Sequence, residues 1–247
     1  MPAFISNSAK AASVSNPLPH AVWRADQMGS YQTAVISSGY RALDAELPNG
    51  GWPGSALIEL LLERPGIGEM RLLRPALHSI ARKRRVALLQ PPHLPQVAAW
   101  TAWGLPSEQL LWLRPERSAD AWWSAEQVLR NGSCGALLFW QTQARSEALR
   151  RLQLAAQSAQ TAFWMLRPLA DARNPSPAPL RLALRPAGGC LVIDIIKRRG
   201  PRHGNLLHLP LDDNAPSPLT SSHFPHAHLD RRIPAAAATR NNPAALV

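Results

Sequence analysis

Eight residues between an apolar run and a helical stretch hold the most telling chemistry of this chain: Glu63-Arg64-Pro65-Gly66-Ile67-Gly68-Glu69-Met70. A phosphate-binding loop at such a place needs three things. Gly-rich backbone N–H groups cradle the anion, a Lys reaches the outer phosphates, and a Ser or Thr hydroxyl holds Mg²⁺. Set against the G-x-x-x-x-G-K-[ST] pattern, Gly68 keeps its glycine, but Glu63 replaces the first glycine, Glu69 the Lys and Met70 the hydroxyl. A carboxylate at the Lys position repels phosphate over the distance at which the Lys would attract it. Gly66 and Gly68 alone are a weak candidate for anion binding at a helix N-terminus. With Glu63 and Glu69 flanking them, a structural loop is the better reading. The expectation is a degenerate phosphate loop, with no cofactor, no metal and no catalytic residue.

The elements that must position this loop are readable from periodicity. Residues 55–62 form an apolar run fit for a buried strand. Leu72, Leu73, Ala76, Leu77, Ile80 and Ala81 then recur at helical spacing over 69–85. Pro75 is expected to kink that helix or mark its true first turn. The cations Arg82, Lys83, Arg84 and Arg85 complement the dipole at its end and read as a solvated last turn. Strands follow over 86–89, 109–113, 135–140 and 161–166. Helices between them cover 95–103, a stretch capped by Ser118 and closed by Asn131-Gly132, and a stretch opened by Ser146 and Glu147. Alternating strands and helices predict an α/β fold with a mostly parallel sheet flanked by helices. Past the Pro-rich segment 174–177 the period changes to two. Leu180, Leu182 and Leu184, then Leu191, Ile193 and Ile195, flank Pro186-Ala187-Gly188-Gly189, which predicts a closing C-terminal antiparallel hairpin. Arg181 and Arg185 are expected on its polar face, with its edge open to another chain.

Composition adds an organisation and a charge. Residues 1–19 read as a flexible leader, 20–211 as one domain with a short helix over 20–28, and 212–247 as a disordered tail. Lys and Arg number 27 against 16 Asp and Glu, a net charge of +11, which favours an anionic partner: DNA or an acidic protein face. The basic exit from the hairpin, Lys197, Arg198, Arg199 and Arg202, is the candidate contact. Cys134 and Cys190 have neither metal nor disulfide-framework spacing. His223, His226 and His228 lie in the tail without Cys or acidic neighbours, so no metal role is assigned to them. No signal-peptide pattern and no run of about 18 apolar residues is seen, so a cytoplasmic protein without membrane contact is expected. Of the nine tryptophans most should be core; Trp122 falls on the apolar stripe of its helix and Trp123 off it, as an exposed anchor.

The segment Val35 to Leu61, with Ile36-Ser37-Ser38-Gly39, Leu43-Asp44, Gly50-Gly51-Trp52-Pro53-Gly54 and Ile58-Glu59, resembles the approach to the nucleotide site of the RecA recombinase. The resemblance runs to about Gly200 and implies a RecA-like core. It also marks two further departures. Pro92 stands where the water-activating carboxylate follows the second core strand, and Trp140 where the family has an Asp near Mg²⁺. With Glu69 and Met70 that makes four lost positions. The loops that grip single-stranded DNA in that family are short here. Within this frame, "WRADQ", "SPAPLRLALRP" and "IIKRRGP" resemble the ImuA family of degenerate RecA-like proteins. That resemblance implies a non-catalytic, SOS-induced accessory protein of mutagenic translesion DNA synthesis. Its partners would be ImuB and, indirectly, an error-prone DnaE-type polymerase; RecA and DNA are further candidates. The alternative is a SulA-type cell-division inhibitor binding FtsZ, which also resembles a stripped RecA core. An active RecA-type DNA-dependent ATPase is the third reading, and the four lost positions speak against it.

Overall fold

The computed structural model describes residues 35–200 and 204–211, which belong to one compact unit bounded at Asp213. The expected leader, the helix over 20–28, Arg202, the tail and its histidines lie outside the described residues. The elements in chain order are β1 (Val35–Ile36), α1 (Arg41–Glu46), β2 (Trp52–Pro53), β3 (Leu57–Leu62), α2 (Glu69–Ala81), β4 (Arg85–Leu89), α3 (Val97–Ala102), β5 (Leu110–Leu113), α4 (Ser118–Asn131), β6 (Cys134–Trp140), α5 (Ser146–Ser158), β7 (Ala162–Pro168), β8 (Leu180–Ala187), β9 (Cys190–Lys197) and β10 (Leu207–Pro210).

Eight strands form one sheet in the order β10-β9-β8-β3-β7-β6-β4-β5, with β1 and β2 paired separately. β3 runs parallel to both β7 and β8, and β4 parallel to both β5 and β6. β9 and β10 complete the sheet antiparallel. The expected α/β fold, mostly parallel and closed by an antiparallel hairpin, is the fold observed. Strand side chains alternate between two apolar layers, as a period of two requires. Ile58, Leu60 and Leu62 face a cluster with α1, α2 and α3, while Leu57, Leu137, Phe139, Phe163 and Met165 face α4 and α5. No described helix is long and apolar enough to cross a membrane.

Pro75 sits inside α2 rather than at its start. A proline there has no N–H to give the carbonyl one turn earlier, that of Arg71. Tyr40 supplies the missing donor: its hydroxyl donates to the Arg71 carbonyl at 3.2 Å. Gly39, at φ +81°, packs directly on the proline, where an added Cβ would lie 2.3 Å from Pro75 Cβ. Asp44 ties the same segment down, accepting from the Ser37 hydroxyl at 2.7 Å and the Ser38 N–H at 2.8 Å. The Ser38-Gly39-Tyr40 segment is thus a brace that lets a proline-containing helix follow the loop.

Three expectations need correction. Ser118 is the first helical residue of α4 and makes no side-chain cap; Arg117 stands at the N-cap position. Arg85 opens β4 instead of ending α2, and Arg84 is a clamp rather than a solvated cation. Its guanidinium donates to the carbonyls of Gln160, Gly132 and Cys134, joining the ends of α4 and α5 to the start of β6. The hairpin is also not an open edge. β8 lies between β3 and β9, and β10 pairs with β9. Its turn is the tight two-residue kind, with Gly188 at φ +48° and Gly189 at +84° between the paired Ala187 and Cys190.

Candidate functional site

Ligands of open parallel sheets gather at the carboxyl ends of the strands. Here those ends present the Glu63–Gly68 loop after β3, Gln90-Pro91-Pro92 after β4, Gln141 after β6 and the hairpin tip after β8. The sheet therefore brings Glu69, Met70, Pro92 and Trp140 to one end of the molecule. With about 4.8 Å between neighbouring strands, β6 lies roughly 10 Å and β4 roughly 14 Å from β3.

The loop itself is closed from within. Glu69, the first residue of α2, is 3% exposed and turns its carboxylate back into the loop. One oxygen accepts the Gly66 N–H at 2.8 Å and the other the Gly68 N–H at 3.2 Å. Those are donors a phosphate would use, and an anion at a helix N-terminus is stabilised by the dipole. The chain supplies that anion itself. Gly68 takes φ +119°, and an added Cβ there would meet the Leu211 side chain at 2.5 Å. Met70, Ile67 and Trp140 belong to the same apolar cluster as Leu209 and Leu211. Where a phosphate site needs charge and water, this one has a buried carboxylate and apolar packing. Among the described residues, no group of three or more His, Cys, Asp or Glu could hold a metal.

Beneath the loop, β3 carries a charge that periodicity alone does not explain. Glu59 is fully buried. It accepts from Arg167 Nη1 on β7 at 2.9 Å, Arg181 Nε on β8 at 2.6 Å and the Ser176 hydroxyl at 2.9 Å. Arg181 also donates to the carbonyls of Asp171 and Ala172, and Arg167 Nη2 lies 3.0 Å from Asp171 Oδ2, close enough to attract but off hydrogen-bond geometry. Arg181 was expected on an exposed polar face; it is 5% exposed because β3 supplies its counter-charge. Two acids and two arginines make the cluster neutral. It holds β3, β7, β8 and the turn after β7 together. A lone Glu in an apolar run with two Arg in later strands was the sequence signal.

The basic exit lies at the opposite end of the sheet, since β9 runs back from the hairpin tip. Arg198 is spent on α1: its guanidinium donates to the Glu46 carbonyl and sits 3.7 Å from the Glu46 carboxylate, with its side chain 11% exposed. Lys197 donates to the Ser176 carbonyl at 2.8 Å and is exposed, as is Arg199. Trp122 packs edge-on against Phe139 at 5.2 Å between ring centres, while Trp123 is 60% exposed. Cys134 is buried, and Cys190 donates its thiol proton to the Ala187 carbonyl.

The described residues also form a cleft of about 410 Å³ between the loop and the hairpin tip, with Arg64, Ile67, Arg71, Gly188, Gly189 and Leu211 among its walls. The sequence did not single it out, because Arg64, Ile67 and Arg71 lie far along the chain from Gly188, Gly189 and Leu211.

No protein-family model matches the chain, and no curated protein matches it. Among solved structures it is similar to SulA from Pseudomonas aeruginosa, at 26% identity over 46% of this chain and 98% of that chain, with a TM-score of 0.39.

Proposed function

We propose that the protein is a non-catalytic accessory protein of SOS-induced mutagenic translesion DNA synthesis. In this reading a RecA-like body docks on ImuB and, through it, serves an error-prone DnaE-type polymerase. The observation that carries the non-catalytic half is the Glu69 carboxylate lodged on the Gly66 and Gly68 N–H groups. An ATPase must hold phosphate where this acid sits. The motifs "WRADQ", "SPAPLRLALRP" and "IIKRRGP" support the ImuA-type assignment, and the partners follow from it.

The test has two arms. ATP hydrolysis is measured with and without single-stranded DNA; no turnover above a buffer blank is expected. DNA-stimulated hydrolysis that follows the protein through gel filtration and changes with Glu69→Gln would overturn the non-catalytic reading. Binding to purified ImuB and FtsZ is measured side by side. ImuB binding is expected; FtsZ binding without ImuB binding would replace this reading with the cell-division inhibitor.

A further inference from the structure

β5 closes one end of the sheet, and among the described residues it has a strand neighbour on one side only, β4. One bond fixes the direction of its backbone groups. The Leu113 carbonyl accepts the Gln90 N–H, just past β4, at 3.1 Å, so Leu113 and Leu111 turn their N–H and C=O toward β4. By alternation Leu110 and Trp112 turn theirs outward. The Leu110 N–H is already given to the Ser107 carbonyl. The Leu110 carbonyl and both backbone groups of Trp112 therefore face away from the sheet. The Trp112 side chain is 41% exposed and shares a face with Leu110, while Leu111 and Leu113 pack on the opposite face, in the cluster that includes α4. Glu108 and Arg114 flank the strand, and both are exposed. One Glu108 oxygen accepts from the Ser107 hydroxyl at 2.9 Å, which leaves the carboxylate further acceptor sites.

We propose that two copies of this chain pair through β5, antiparallel about a two-fold axis at Leu111. An edge strand is a template for another strand, and self-pairing about a two-fold closes instead of propagating. The backbone restricts the register. An antiparallel ladder pairs outward-facing residues with outward-facing ones, so the axis passes through a residue and not between two. At Leu111 it sets Leu110 of each copy opposite Trp112 of the other. Each Trp112 N–H then donates to a Leu110 carbonyl, and each indole covers a leucine that is only half-buried. The same axis brings Glu108 of each copy to Arg114 of the other, because both lie three residues from Leu111. Among axes within β5 this one alone sets a Glu opposite an Arg; at Trp112 the axis would set Glu108 against Glu116, and like charges directly opposite are destabilising. Pro106 and Pro115 bound the ladder at either end. The interface is small and a net charge of +11 on each copy opposes it, so the dimer is a weak one. The pairing does not depend on the accessory-protein reading.

Sedimentation equilibrium of the full-length protein is the test, at about 0.15 M salt, where a Debye length of about 8 Å screens distant charge more than a contact pair. A monomer–dimer equilibrium is expected, with a Kd on the order of 100 µM. Glu108→Arg and Arg114→Glu each set like charges together twice per dimer and should each weaken association about tenfold. Glu108→Arg/Arg114→Glu exchanges the two charges and should return the Kd to within about threefold of the natural protein's. Net charge does not give this pattern, since one single variant raises it and the other lowers it. Both side chains are exposed, and thermal melts confirm that each variant folds. In a Cys190→Ser background, Leu111→Cys should form an intermolecular disulfide under mild oxidation, because its Cα atoms lie about 4.5 Å apart across the axis. Leu113→Cys, roughly 14 Å from its copy, should not. A monomer at all concentrations up to about 1 mM overturns the proposal and leaves the β5 edge to a segment of the chain itself or to a different protein. A dimer that the single variants leave intact, or that the double variant fails to restore, overturns it by placing the contact elsewhere. Absence of the Leu111→Cys disulfide, or equal cross-linking at both positions, overturns it as well.

Discussion

Replacing Glu59 alone should destabilise this protein strongly, and replacing it together with Arg181 should cost less. The Glu59 side chain is 0% exposed, that of Arg167 2% and that of Arg181 6%, so solvent screens none of these charges appreciably. Glu59→Leu strips acceptors from Arg167, Arg181 and Ser176 and leaves two buried cations sharing one carboxylate of the cluster, that of Asp171, with Arg181 keeping its bonds to the Asp171 and Ala172 carbonyls. Breaking a buried pair by removing one partner costs about 3–5 kcal/mol, because the survivor stays buried and uncompensated. Set against a typical stability of about 5–15 kcal/mol, that loss takes much of the margin. In Glu59→Leu/Arg181→Met the cluster keeps one acid, Asp171, and one base, Arg167, and is neutral again. Replacing both members with apolar groups of similar volume is often close to neutral. The double variant should therefore recover at least about 2 kcal/mol of the single loss. Urea unfolding followed by tryptophan fluorescence gives each value by linear extrapolation. Additive losses, with the double variant worse than either single, would show that Glu59 and Arg181 do not compensate each other and would refute the reasoning.

Other perturbations probe separate parts of the scaffold. Trp122→Ala should cost about 3 kcal/mol, the low end for aromatic truncations because the ring is only half-buried, whereas Trp123→Ala should stay within about 0.5 kcal/mol; urea midpoints distinguish them. Arg84→Met removes donors to three carbonyls and should cost about 2–3 kcal/mol, while Lys83→Met, exposed on the same turn, should be nearly silent in the same melts. Tyr40→Phe leaves the Arg71 carbonyl without the donor that Pro75 cannot supply and should cost about 1 kcal/mol. Gly39→Ala should cost more, since it combines a left-handed backbone with a clash against Pro75; equal melting temperatures for the two variants would contradict the brace.

Element types are legible along the chain, because the side chains that must leave water recur at the period of the element carrying them. The strands over 55–62 and 135–140 and the helix stripe from Ala121 to Leu129 appear close to where periodicity put them. The Gly188-Gly189 turn follows equally locally, from residues that tolerate positive φ. The loss of Lys and hydroxyl at Glu69 and Met70 was legible too, since a motif is a matter of spacing. Its consequence was not: the sequence gives Glu69 a charge that repels phosphate, and only the folded loop shows that charge accepting its own backbone N–H groups. Which charges are buried depends on long-range packing. Arg181 looks like any surface arginine until β3 and β8 become neighbours and place it against Glu59, 122 residues earlier in the chain. Arg198 reads as part of a basic cluster until the fold brings it to Glu46, 152 residues away. The cleft has the same origin, with Arg64 and Arg71 facing the hairpin tip only because β8 pairs with β3. A side chain's burial depends on what the chain brings to it from far away, and hydrophobic period carries no record of strand order.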